Sequence, residues 1–195
     1  MSESELPKRV VILGDVSVGK TALITRLYQG SFPQEYKSTI TNDSYIHEIH
    51  HSDGVMKFCI FDTAGLEAFQ SLSTVYIREA IGIIIVVDVT VKKTLEKVDT
   101  WLSIVDKVCI KKPVIIIAGN KSDLEAEREF SVAEALSTFE GLSLPYFECS
   151  AKTGQNVESV FSTLAHLIYT SPLPESFEIS HSTDSHPTQN ERCRC

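Results

Sequence analysis

Residues 14–21 read Gly-Asp-Val-Ser-Val-Gly-Lys-Thr. This G-x-x-x-x-G-K-[ST] pattern forms a phosphate-binding loop when a buried strand precedes it and a helix follows. Both flanks are present: Val10-Val11-Ile12-Leu13 is an apolar run without alternation, and Ala22 to Leu27 opens a helical pattern. Gly14 and Gly19 let the backbone turn tightly and approach an anion with no Cβ in the way. The helix starting near Lys20 adds the positive end of its dipole. The expected contacts run from Val16 through Ser17, Val18, Gly19, Lys20 and Thr21 to Ala22. Lys20 is placed to reach the β- and γ-phosphates, and the Thr21 hydroxyl to help hold Mg²⁺.

The rest of the chain bounds what surrounds this loop. Its 195 residues suit one domain with an appendage. The acidic start, Met-Ser-Glu-Ser-Glu, is unlike a secretory signal. Five cysteines at scattered spacing argue against a disulfide framework. Cys59, Cys109 and Cys149 read as small buried hydrophobes. A net charge of −8 disfavours nucleic-acid binding, which normally shows a basic face. The phosphate ligand must then be served locally, by backbone dipoles, one lysine and a metal ion.

In chain order, residues 8–14 predict the first strand, and a polar loop covers 30–42. Residues 44–50 and 55–61 predict an antiparallel pair turning at Ser52-Asp53-Gly54. Residues 81–87 and 114–118 predict buried strands, and 146–150 the last one. Leu95, Val98, Leu102, Val105 and Cys109 recur at helical spacing. Ser131 and Glu134 form a capping box. Val157, Val160, Phe161, Leu164, Leu167 and Ile168 give the last helix an apolar stripe. Strands alternating with helices predict a mostly parallel six-stranded α/β sheet, covered on both faces, with one antiparallel strand. Residues 171–195, with prolines, many Ser, Thr and His and no apolar periodicity, read as a disordered tail. His47, His50 and His51 lie around the hairpin on an outer strand and read as a solvated edge rather than a metal site.

Ligands in such sheets bind outside the carboxyl ends of the strands, and the polar motifs all fall there. Asp62-Thr63-Ala64-Gly65 puts a carboxylate where bound Mg²⁺ needs one, and a glycine N–H beside a γ-phosphate oxygen. In Asn120-Lys121-Ser122-Asp123 the Asp123 carboxylate accepts from guanine N1–H and its exocyclic amine, a pair adenine does not offer. Asn120 organises the loop, and the Lys121 stem lies across the base. Ser150-Ala151-Lys152 adds backbone donors for guanine O6, with Lys152 over the other face.

On these motifs the chain resembles a Ras-superfamily small GTPase over residues 8–170, and within it a divergent member of the Rab branch. The resemblance implies the P-loop NTPase fold, GTP/GDP and Mg²⁺ as ligands, and residues 1–7 as an N-terminal extension. Phe32 and Tyr36 match the first switch together with Ser38-Thr39-Ile40. Thr39 joins Thr21 and Asp62 as the implied Mg²⁺ ligands. Tyr76-Ile77-Arg78-Glu79-Ala80 resembles the Rab segment after the second switch. The terminal Cys193-Arg194-Cys195 resembles a doubly prenylated Rab end, the alternatives being a disulfide or a spare metal site. The implied partners are effectors at the switch regions, an exchange factor, a prenyltransferase with its escort, and a GDI-type protein. A monomer is expected on the cytoplasmic face of an intracellular membrane, cycling with the cytosol.

Departures fall where hydrolysis happens. Leu66 stands at the position of the glutamine that orients the attacking water, and Val16 at one usually small. Ile40-Thr41 replaces Ile-Gly, and Glu67-Ala68-Phe69 replaces Glu-Arg-Phe. Leucine cannot hydrogen-bond water, so no catalytic residue is assigned and hydrolysis is expected to be slow; Gln70 is an alternative water-orienting residue. The competing function is a GTP-held, membrane-anchored effector-recruiting module that hardly hydrolyses. A P-loop kinase or ATPase is disfavoured by base recognition at Asn120 to Asp123.

Overall fold

The computed structural model describes residues 7–33, 43–51, 54–63, 75–142 and 144–171. Six strands form one sheet: β1 (Lys8–Leu13), β2 (Asp43–His51), β3 (Gly54–Asp62), β4 (Gly82–Asp88), β5 (Val114–Asn120) and β6 (Tyr146–Glu148). Their order is β2-β3-β1-β4-β5-β6. β2 pairs antiparallel with β3, and every other neighbour is parallel. The expected fold class is therefore the observed one. Chain order reverses on either side of β1, so the crevice at its carboxyl end is where such a sheet takes a ligand.

The apolar runs without alternation exist because both faces of the sheet are covered. In β1, Val10 and Ile12 point to one face, toward helices α1 (Lys20–Gln29) and α5 (Val157–Thr170). Val11 and Leu13 point to the other, toward α2 (Lys92–Glu96), α3 (Val98–Val108) and α4 (Val132–Glu140). β4 is buried along its whole length. On α5, Val157, Val160, Phe161, Leu164 and Ile168 are buried as the stripe requires, while Leu167 is only partly so.

Local signals placed most boundaries. The Ser131 hydroxyl accepts the Glu134 N–H at 3.2 Å, and the Glu134 carboxylate accepts the Ser131 N–H at 2.8 Å. This capping box opens α4 and holds the Glu134 carboxyl down to about 2, the Ser131 N–H being the main cause. The last strand is shorter than expected, because Cys149 and Ser150 leave it to join the loops at the sheet's carboxyl edge. The residues at helical spacing over 95–109 fall on two helices, α2 and α3, which Lys97 separates.

The histidine reading needs correction. Tyr45, His47 and Ile49 share one parity of β2 and turn inward, while Ile46 and Glu48 face out. His47 packs edge-on against Tyr28 of α1, with ring centroids 5.4 Å apart. It lines a small cavity of about 10 Å³ with Phe161, Leu164 and Ala165 of α5. Burial lowers its pKa, with Glu158 pulling the other way. His47 is thus part of a packed face, not a solvated edge. No group of three potential metal-ligating residues occurs among the described residues.

Candidate functional site

The carboxyl ends of β1, β3, β4, β5 and β6 bring the sequence motifs to one edge of the sheet. At Gly14 the backbone has φ 139°, and a Cβ would stand 2.3 Å from the Val86 carbonyl oxygen. At Gly19, φ is 99° and a Cβ would stand 2.2 Å from Asn120 Nδ2. Both glycines are therefore demanded by backbone conformation and by close approach. Ser17 between them also adopts a left-handed conformation (φ 64°), a departure of the kind found at binding loops. Gly19 is the N-cap of α1, and no side chain caps that end among the described residues; a helix N-terminus of this kind suits an anion.

Lys20 lies folded into the loop. Its Nζ donates to the Gly14 and Asp15 carbonyls, each at 2.8 Å. Burial lowers its pKa to about 8, opposed by the carboxylates of Asp62 and Asp15. An anion held against this ammonium would favour its charged form further. Asp62 ends β3 with both carboxylate oxygens sealed from solvent. Thr63 follows it, and its hydroxyl donates to the Ile12 carbonyl at 2.6 Å, fixing the chain where it leaves the sheet.

The three loops at the other strand ends are laced together. Asn120, only 2% exposed, donates from Nδ2 to the Val18 carbonyl at 2.8 Å. Its Oδ1 accepts the Ala151 N–H at 3.0 Å. One side chain thus ties the phosphate loop to the Ser150-Ala151-Lys152 loop. Asp123 Oδ1 accepts the Ser150 hydroxyl at 2.6 Å, and Lys152 Nζ stands 3.8 Å from Oδ2. Lys121, left-handed at φ 68°, pairs with Asp88 at 2.5 Å.

Val16 is exposed (47%) on the phosphate loop, and Ala22 is partly buried in the first turn of α1. Phe32 is exposed beyond the end of α1. Tyr36, Thr39, Gly65, Leu66, Gln70, Cys193 and Cys195 lie outside the described residues.

One residue that the sequence reading passed over is Arg26. From α1 its Nε donates to the Ala151 carbonyl at 2.8 Å, one terminal nitrogen donates to Gly30 at 2.5 Å, and the other to Lys152. It holds the 150–152 loop from behind. No local signal marks it, because Ala151 and Lys152 lie more than a hundred residues away. Arg26→Ala leaves these carbonyls without their charged donor, a loss of roughly 1.5–3 kcal/mol per bond to a charged group before water compensates. We expect guanine-nucleotide release to accelerate by roughly tenfold, the equivalent of ~1.4 kcal/mol. A fluorescent-nucleotide chase checks this, and an unchanged rate would leave the clamp without functional weight.

The comparisons with known proteins agree with the geometry. The Ras family model matches residues 9–170. The chain is 34% identical over 184 residues to the GTP-binding protein ypt2 of Schizosaccharomyces pombe, covering 94% of this chain and 92% of the relative. It is 36% identical to Ras-related protein Rab-13 of Canis lupus familiaris, over 80% of this chain and 77% of that one. Against Ras-related protein Rab-1A of Dictyostelium discoideum the identity is 38%, over 80% and 78%. A loop shaped for phosphate, strand-end motifs laced around it and a match to nearly the whole described chain lead to one assignment: the chain belongs to the Ras family of small GTPases, in its Rab branch.

Proposed function

We propose that this protein is a GTP/GDP-dependent switch in vesicle trafficking that binds GTP with Mg²⁺ and hydrolyses it slowly. The observation that carries the reading is the Asn120 side chain, which joins the phosphate loop to the loops carrying Asp123 and Ala151. Phosphate and base recognition are thereby held in one rigid arrangement, as nucleotide binding requires. Asp123 reads guanine, and Ala151 N–H lies beside the base. Val16 to Ala22 cradle the phosphates, Phe32 and Tyr36 flank the nucleotide, and Gly65 meets the γ-phosphate.

Mg²⁺ fits the donor set. Thr21, Thr39 and Asp62 offer hard oxygens, and the buried Asp62 carboxylate beside Lys20 is a setting that a cation and phosphates would balance. When bound, the ion neutralises charge on the β- and γ-phosphate oxygens. Lys20 would hold the same phosphates through its ammonium. Water attacks the γ-phosphorus, the bond to the bridging oxygen breaks, and GDP and phosphate leave. Leu66 does not orient that water, and the exposed Val16 narrows the space for an arginine supplied by an activating protein.

Attachment is assigned to two prenyl groups on Cys193 and Cys195, since the tail's Glu175, Glu178, Asp184 and Glu191 leave no polybasic patch and one chain gives only marginal binding. No described helix is long and apolar enough to cross a membrane. Domain 8–170 then switches while the tail 171–195 tethers it to the cytoplasmic face. Effectors engage the switch regions, and exchange, escort and extraction fall to the partners that Rab membership implies.

Single-turnover hydrolysis tests the slow step. Small GTPases that keep the glutamine hydrolyse unaided at roughly 3–5 × 10⁻⁴ s⁻¹, a half-life of about half an hour. The parent should fall at least roughly tenfold below this, and Leu66→Gln should recover that factor, worth ~1.4 kcal/mol of barrier. Nucleotide affinity should hardly change. An ordinary parent rate that is lost in Gln70→Ala would transfer the role to Gln70.

A further inference from the structure

The phosphate loop carries a carboxylate. Asp15 follows Gly14, its carbonyl accepts the Lys20 ammonium, and its negative charge is felt at Lys20. A carboxylate there opposes a polyphosphate in two ways: it repels the ligand and competes for the lysine that should hold it. The structure shows what offsets it. Lys97 Nζ lies 2.6 Å from Asp15 Oδ2, a short charge-assisted bond linking residues that are 82 apart in sequence. Both side chains are partly sheltered, Asp15 at 19% and Lys97 at 36% exposure, so the pair is less screened than an open surface pair. Lys97 is also the residue at which the helical segment over 92–108 is interrupted, between α2 and α3.

We infer that Lys97 is a positioning residue for nucleotide retention: by neutralising Asp15 and tethering the phosphate loop to the α2–α3 junction, it keeps Lys20 available to the phosphates. The inference rests on the reading of the loop as a guanine-nucleotide site and deepens it. In this inference Lys97 acts on the nucleotide only indirectly. Its action passes through Asp15, so the effect of losing it depends on whether the carboxylate remains. A lysine that only held the helices together would not show that dependence.

The test uses the full chain loaded with fluorescent GDP and Mg²⁺, chased with unlabelled GDP. Release is measured for the parent, Lys97→Met, Asp15→Asn, the double variant and Lys97→Arg. Lys97→Met should release GDP roughly fivefold faster or more, the range expected for charged residues in contact. Asp15→Asn should change the rate less. The double variant should return close to Asp15→Asn, and Lys97→Arg, which keeps the charge, should stay near the parent. A Lys97→Met rate equal to the parent's overturns the inference, as does a double variant as fast as Lys97→Met. A parent that retains no guanine nucleotide would instead overturn the underlying functional reading, and the inference with it.

Discussion

Asp123→Asn should exchange the preferred base from guanine to xanthine. The Ser150 hydroxyl donates to Asp123 Oδ1 at 2.6 Å, and Lys152 stands on the Oδ2 side, so the carboxylate is already oriented by the protein. On the proposed reading it accepts two hydrogen bonds from guanine. An asparagine retains one acceptor and turns the other position into a donor. That donor meets the exocyclic amine of guanine with repulsion, but it meets the C2 carbonyl of xanthine with a bond. A site built to hydrogen-bond its ligand rejects a mismatched analogue by roughly 10⁴-fold, because buried polar groups are left unpaired. GTP affinity should fall by about that factor while XTP affinity rises. Competition binding of the two nucleotides to parent and variant decides it, and equal GTP affinity in both would reject the assignment of Asp123.

Asn120→Ala should release nucleotide almost as drastically without changing which base is preferred. The side chain is buried, and both of its polar atoms are used, one on the Val18 carbonyl and one on the Ala151 N–H. Truncation leaves two buried backbone groups unsatisfied, at roughly 1–3 kcal/mol each. It also unlinks the phosphate loop from the base loop, so ordering that the fold now supplies must come from binding energy. An affinity loss of roughly 10²- to 10⁴-fold follows, since ~1.4 kcal/mol is a factor of ten. Asn120→Asp, which keeps the acceptor and puts a carboxylate oxygen against the Val18 carbonyl, should also be impaired. Release rates with GDP and with XDP give both affinity and selectivity. A parent-like rate in Asn120→Ala would mean that the two loops hold their places unaided.

Sequence and structure divide the account by distance along the chain. The glycine spacing in residues 14–21, the apolar runs of β1, β4 and β5, the stripe on α5 and the capping box of α4 depend on neighbours within a few residues. They were therefore legible as periodicity and spacing. The same holds for the position of every guanine motif after a strand, from which the crevice followed. The identity of Leu66 and Val16, on which the hydrolysis proposal turns, is likewise a matter of sequence alone.

Tertiary structure decided what depends on distant partners. Residues of both parities in β2 are apolar, so alternation did not say which way His47 faces; packing against Tyr28 and α5 turned it inward. The helical spacing over 95–109 gave no sign of an interruption at Lys97, whose ammonium meets Asp15 across the fold. Arg26 looks like any polar residue of an amphipathic helix until Ala151 and Lys152 arrive behind it. Asn120 reads as a turn residue until Val18 and Ala151 close on its two ends. The chemistry of each group was written in its residue type, whereas its partner was chosen only when the fold brought segments distant in the chain together.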